Sequence, residues 1–131
     1  MKLLGISAVT LLIKDMNKSC RFYSTVPGFT VSYSSDRFTT FTLNQNTDKK
    51  IHLNLELELN NNIDGNQVKD FGRIIFHTDN VDDLYSYLKS DVIISNLITI
   101  ETEPKDALWG ERYFHIRDPD GYQISFAEPI K

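Results

Sequence analysis

"FHIRDPDGYQISFAEP", Phe114 to Pro129, is the stretch whose reading decides the fold. At its centre "DPDG", Asp118 to Gly121, is turn chemistry. Pro119 fixes φ for the first corner, Gly121 tolerates positive φ, and the two aspartates bond nearby backbone N–H groups. Apolar residues alternate on both sides, Phe114 and Ile116 before the turn and Ile124 and Phe126 after it. The segment therefore reads as a β-hairpin with one apolar face. The other face takes Tyr113, His115, Gln123 and Ser125. A one-residue slip in register would invert every assignment.

Outward from the hairpin, the second half of the chain holds a strand, "RIIFHT", with Ile74 and Phe76 on its apolar side and Arg73, Ile75 and His77 opposite. A helix follows in "DNVDDLYSYLKS", with Val81, Leu84, Tyr85 and Leu88 on one face and Asp79 or Asn80 as its cap. "ISNLITIETE" contains a strand, and "DVIIS" reads as a further one. The first half repeats this order. "ISAVTLLIK" is a strand with Val9, Leu11 and Ile13 inward and Ala8, Thr10 and Leu12 outward. "DMNKSCRFYSTV" is a helix capped by Asp15 and stopped by "PGF", with Met16, Cys20 and Tyr23 at helical spacing. "FTVSYSS" alternates Phe29, Val31 and Tyr33 against small polar residues, and "RFTTFTLN" is a second strand. "KIHLNLELELN" is the clearest period-two segment. Ile51, Leu53, Leu55, Leu57 and Leu59 face one way, and His52, Asn54, Glu56 and Glu58 the other. Between the halves, "NNNIDGNQVKDFG" is polar and Gly/Asn-rich and reads as a linker. Laying Ala8 on Arg73 lays Met16 on Val81 and Phe22 on Tyr87, so the repeat is one of architecture.

Composition limits the function classes. A chain of 131 residues is long enough for one domain, 1–131, with a real core. Hydrophobic content of 40% and charged content of 24% are ordinary for a soluble globular protein. The net charge is −4, and no basic run exceeds the Lys49–Lys50 pair. Both argue against nucleic acid and anionic membranes as partners. The apolar start "MKLLGISAVTLLIKD" falls short of the about 18 apolar residues of a membrane span. No small-residue cleavage site follows a clean apolar run in it. The single cysteine, Cys20, has no internal disulfide partner, and a cytoplasmic location is expected.

Three stretches together carry a resemblance: "VTLLIKDMNKSCRFYSTVPGF", "DNVDDLYSYL" and "WGERYFHIRDPDGYQISFAEP". They resemble the vicinal oxygen chelate superfamily, the glyoxalase, bleomycin-resistance and extradiol-dioxygenase group. The resemblance covers nearly the whole chain and is most specific from Trp109 to Glu128. "FYSTVPGF" matches the family's Phe-Tyr, then Gly-Phe, pattern after the first helix. The resemblance implies an α+β fold of two βαβββ modules, forming a curved mixed sheet around a cavity. Module one would span about 3–60, the linker 60–72 and module two about 72–130. It also implies a homodimer.

In metal-dependent members, ligands lie on the first and last strands of each module. Carried onto this chain, the first-strand histidine positions fall on Ala8 and Arg73, and the carboxylate position of the final strand falls on Ser125. Only Glu56 could keep a ligand role. Alanine has no donor, a guanidinium repels a cation, and serine is a weak neutral ligand. The implied site therefore lacks its usual metal, and no cofactor is expected.

The remaining polar residues form a candidate ligand-binding set: Asn54, Glu56, Arg73, His77, Trp109, Tyr113, His115 and Ser125. Each also has a plain reading. Arg73 binds an anionic group of a ligand or pairs with Glu56. His77 and His115 are ligand contacts, acid–base groups or structural histidines. Glu56 is a base or an ordinary polar residue; base work at neutral pH would need burial. Trp109 stacks on a flat ligand or anchors its loop. Cys20 is buried filler, and Asp118 and Asp120 are turn formers.

The function expected is that of a metal-free, bleomycin-resistance-like protein binding a small organic molecule in the cavity or dimer groove. The alternative is a metal-dependent lyase, isomerase or dioxygenase-type enzyme with relocated ligands drawn from His52, Glu56, His77 and His115. A metal-free enzyme working through Glu56 or a histidine is a further version of it. A domain that only assembles with itself or a partner is the third reading.

Overall fold

Residues 1–59 and 69–130 are described in the computed structural model of the chain. The chain divides into two compact units, Met1–Ile63 and Asp64–Lys131.

The first unit runs β1 (Ala8–Ile13), α1 (Met16–Thr25), β2 (Thr30–Ser34), β3 (Phe38–Leu43) and β4 (Ile51–Leu57). Its sheet has the order β1-β4-β3-β2, with β1 and β4 parallel and the other pairs antiparallel. This is the expected βαβββ order. Helix α1 starts where Asp15 supplies a carboxylate to the Lys18 N–H at 3.1 Å. Its buried Phe22 and Tyr23 pack toward Leu11, Ile13, Phe41, Leu53 and Leu55, the buried side chains of the sheet. Tyr23, Phe29 and Phe41 form an aromatic cluster with centroids 5.8–6.1 Å apart.

Two local readings change. β4 ends at Leu57, and of its apolar row only Leu53 and Leu55 are buried, while Leu59 is exposed. Strict alternation in β2 would put Val31 and Tyr33 on one face. The register instead shifts between them, so Val31 lies opposite Phe41 and Tyr33 opposite Thr40. One extra residue on an edge strand sends the two side chains to opposite faces, and both are exposed.

The second unit runs β5 (Lys69–His77), α2 (Val81–Ser90), α3 (Val92–Ser95), β6 (Thr99–Ile100), β7 (Lys105–Asp106), β8 (Glu111–Arg117) and β9 (Tyr122–Pro129). Its sheet has the order β5-β9-β8-β6, with β7 also on β8; β5 and β9 are parallel. Helix α2 is capped by Asn80, and the Glu128 carboxylate also accepts from the Val81 N–H at 3.0 Å. A carboxylate there suits the positive end of the helix dipole.

β5 begins at Lys69, inside the stretch expected to be linker; the rest of that stretch, 60–68, lies outside the described residues. Gly72, at φ 127°, sits where the β5–β9 register breaks between Lys69 and Arg73. "DVIIS" is a short helix, not a strand. Asp91 accepts from the Ile94 N–H at 3.0 Å, and this cap outweighs the β preference of Val92 and Ile93.

The hairpin forms as read. Phe114 pairs with Phe126 and Ile116 with Ile124, all buried under α2 and its neighbours. Asp118 is itself buried and accepts from the Asp120 and Tyr122 N–H groups at 2.9 and 3.0 Å. Gly121 takes φ 91°, which closes the turn. Among the described residues no helix is long and apolar enough to cross a membrane.

Candidate functional site

Strand alternation decides which side chains share the polar face of the second unit. On β8 these are Glu111, Tyr113 and His115; on β9, Gln123, Ser125 and Ala127; on β5, Arg73, Ile75 and His77. Of these, Arg73, Ile75, Glu111, Tyr113, His115, Ser125 and Ala127 line a cavity of about 70 Å³, with Trp109 at its rim.

An aromatic ladder runs along β8. The Trp109 and Tyr113 rings stack with centroids 5.5 Å apart, and Tyr113 lies 5.0 Å from the His115 ring. Trp109 stays 69% exposed while its indole N–H donates to Glu111 at 3.1 Å. The same Glu111 carboxylate pairs with His77 Nε2 at 2.7 Å. Deeper in, His115 Nδ1 and the Ser125 hydroxyl form a hydrogen bond of 2.5 Å, and the Ser125 residue is only 1% exposed. The His115 backbone N–H donates to Thr102 Oγ1 at 2.9 Å, which ties the strand down beneath the ring.

A polar relay crosses the sheet beside the cavity. Arg73 Nε donates to Gln123 Oε1 at 2.7 Å, and Gln123 Nε2 donates to Glu101 at 2.9 Å. Glu101 also meets Arg117 at 3.1 Å, and Arg117 meets Asp70 at 2.9 Å. Burial pushes the Glu101 carboxyl up, but hydrogen bonds from Gln123 and Arg117 outweigh it and hold the group below its ordinary value. Burial pushes the His115 imidazole down. The charges of Arg73, Lys105 and Arg117 act in the same direction, against Glu101. His115 is therefore neutral at physiological pH, with one ring nitrogen able to accept a proton.

Five of the sequence-read residues thus come together: Arg73, Trp109, Tyr113, His115 and Ser125 line one cavity. His77 does not line it; its side chain is 70% exposed and turned to Glu111. Glu111 was missed, although it stands two residues before Tyr113 on the same alternating face, which was signal enough. Ile75 and Ala127 had no signal beyond their faces.

Asn54 and Glu56 belong to the first unit, on β4. Asn54 accepts from Thr40 at 2.8 Å and donates to Thr10 at 3.2 Å. Beside it His52 Nδ1 bonds Thr42 at 3.0 Å, and Thr42 bonds Ser32 at 2.9 Å. These side chains are tied to one another across β1, β4, β3 and β2. Glu56 is exposed and flanked across the strands by Leu12 and Phe38, at a hollow of about 560 Å³. That hollow is much the larger, but its walls are mostly apolar. The second-unit cavity is the better candidate because placed polar groups converge on it.

Comparison with known proteins agrees with the architecture. Residues 5–126 match the family described as Glyoxalase/Bleomycin resistance protein/Dioxygenase superfamily. No curated protein matches the sequence. Among solved structures, the fold is similar to that of the genomically encoded fosfomycin resistance protein FosX from Listeria monocytogenes. That likeness has a TM-score of 0.72 at 18% identity, covering 97% of this chain and 94% of the other. A glyoxalase-related enzyme from Fulvimarina pelagi gives 0.72 at 16% identity, over 96% of this chain and 88% of the other. A glyoxalase/bleomycin resistance protein/dioxygenase family enzyme from Burkholderia phytofirmans PsJN gives 0.69 at 18%, over 95% and 98%. At these identities the likeness speaks for the fold alone.

The divalent metal implied by the family pattern does not fit the residues found here. Ala8 offers a methyl group, Arg73 a fixed positive charge, and Ser125 a hydroxyl already bonded to His115. Among the described residues no group of three or more His, Cys, Asp or Glu is placed to hold a metal ion.

Proposed function

This chain belongs to the Glyoxalase/Bleomycin resistance protein/Dioxygenase superfamily, and from that premise we propose that it binds a small organic molecule without a resident metal ion. The observation that carries this reading is the Ser125–His115 pair. At the position where metal-dependent relatives carry a carboxylate, a neutral hydroxyl is buried and bonded to a neutral imidazole, with Arg73 on the same face. The fixed charge of Arg73 repels a cation. The set suits an organic ligand with hydrogen-bonding groups, while the Trp109 and Tyr113 rings offer flat surface for its apolar part. In this reading the protein acts as a homodimer in the cytoplasm, like a resistance or carrier protein, and takes its ligand from solution.

The test is a thermal-shift screen of small aromatic compounds on untagged, chelator-treated protein, followed by mass spectrometry of any compound released on denaturation. A hit whose shift vanishes in Trp109→Ala supports the reading. If no compound stabilises the fold and none is released, the domain is better read as an assembly module. Size-exclusion chromatography with light scattering checks the dimer.

A second reading has one observation in its favour. His115 is held neutral by burial and bonded to a hydroxyl, the state that a general base requires. A metal-free isomerase or lyase would then use His115. Turnover that persists in chelator and is lost in His115→Asn would favour it over simple binding.

A further inference from the structure

Arg73, Arg112 and Arg117 are the arginines of the second unit, and they are compensated differently. Arg112 meets Asp82 and Asp106, each at 3.0 Å. Arg117 meets Asp70 at 2.9 Å and Glu101 at 3.1 Å. Arg73 donates to the neutral amide of Gln123, and among the described residues of its unit no carboxylate forms an ion pair with it. A guanidinium keeps its charge at any working pH. The uncompensated arginine is also the one that lines the cavity.

The cavity's size limits what can enter. At about 70 Å³ the cavity is small and suits a compact polar head such as a carboxylate. Flat surface lies next to it, in the exposed Trp109 indole stacked on Tyr113. Lys105 adds a second cation, its Nζ 5.5 Å from the Tyr113 ring centre. Hydrogen-bonding groups come from His115 and Ser125.

Building on the binding reading above, we propose that this site takes a flat aromatic carboxylate, its anionic head at the Arg73 guanidinium and its ring against Trp109. The Nη side of Arg73 is the end left for the carboxylate, because Nε is held by Gln123. Binding is then linked to His115. The groups around that ring are Arg73 from β5, Lys105 from β7, Arg117 and Tyr113 from β8, Ser125 from β9, and Glu101 beyond β6, with Glu111 of β8 lining the same cavity, its carboxylate taken up by His77 and the Trp109 indole. An anion placed among them offsets the cations that disfavour a protonated His115. Ligand binding therefore raises the His115 pKa, and by reciprocity affinity rises as pH falls through that range.

The experiment uses 2-naphthoate and 2-naphthamide, which share a shape and differ in charge, titrated into the whole chain by calorimetry and by NMR of the His115 ring. The expected result is that naphthoate binds about 10-fold or more tightly than the amide, as a charge-assisted hydrogen bond implies. The preference should be lost in Arg73→Gln and kept in Arg73→Lys, and naphthoate should move the His115 titration upward. Equal binding of the two probes overturns the anion proposal while leaving the binding reading standing. So does an unchanged preference in Arg73→Gln. Binding of neither probe also overturns it, and the compound screen then judges the binding reading separately. If Arg73→Gln fails to fold, Arg73→Lys and the His115 titration decide.

Discussion

In the first unit Asn54 uses its carbonyl on Thr40 and its amide on Thr10, and His52, Thr42 and Ser32 continue the pattern. In the second unit the same sheet order presents an arginine that, among the described residues of its unit, meets a neutral amide and no carboxylate, an exposed tryptophan, and a neutral histidine on a buried hydroxyl. Both faces are polar, yet the first ties its Asn, His, Thr and Ser side chains to one another, while the second sets a guanidinium and an exposed indole beside a cavity. Polarity alone therefore does not mark a site. What marks it is unspent charge and surface next to a cavity.

The comparison is bounded first by the cores, where the units should behave alike. Phe41 and Phe114 are both fully buried. Replacing either with alanine should cost about 3–5 kcal/mol in urea unfolding. A cost below about 1 kcal/mol at one of them would break the picture of two equally packed units.

The polar faces should then diverge. Asn54→Ala leaves Thr40 and Thr10 without their shared partner, and should lower stability by about 0.5–1.5 kcal/mol while ligand shifts stay unchanged. Arg73→Gln should alter stability by no more than about 0.5 kcal/mol, as expected for an exposed position, while ligand shifts are lost. If the two variants trade these outcomes, the assignment of the functional face is reversed.

A pH experiment sharpens the second face further. The folded state holds the His115 pKa below its unfolded value, so the unfolded chain binds a proton that the folded chain resists. Stability should thus be full above the ordinary histidine range and fall as pH drops through it. Glu101 acts lower down, where its depressed folded pKa means stability lost as pH falls through the carboxylate range. His115→Asn should remove the upper part of the acid slope and leave the lower part. An unchanged slope would mean that His115 is not held neutral.

The smallest effect belongs to the surface pair His77–Glu111. With His77 70% exposed, Glu111→Gln should cost no more than about 1 kcal/mol, measured by urea unfolding. A larger loss would mean that anchoring Trp109 matters to the fold itself.

Much of this was legible in the sequence because alternation and turn chemistry are local. The hairpin, its two faces, the helix cap at Asp15 and a cap at Asp79 or Asn80, of which the structure uses Asn80, follow from residues a few positions apart. At Val92–Ser95 the β-branched residues speak for extended chain, but a single cap at Asp91 makes the segment a short helix. The Val31–Tyr33 bulge has no signature in a polar edge strand. At the site, alternation placed Arg73, Tyr113, His115 and Ser125 on one side. It did not say that Gln123 would partner Arg73, or that Glu111 would join His77 to Trp109. Those depend on which rotamers meet across strands, and no spacing rule encodes that.

The central proposal is that Ala8, Arg73 and Ser125 do not suit the divalent metal that the family pattern implies. The most direct test is the metal content of untagged protein, produced in medium containing zinc, nickel, manganese and iron and measured by inductively coupled plasma mass spectrometry. The account predicts far less than one ion of any of these per chain. One ion per chain, retained through gel filtration, would contradict it.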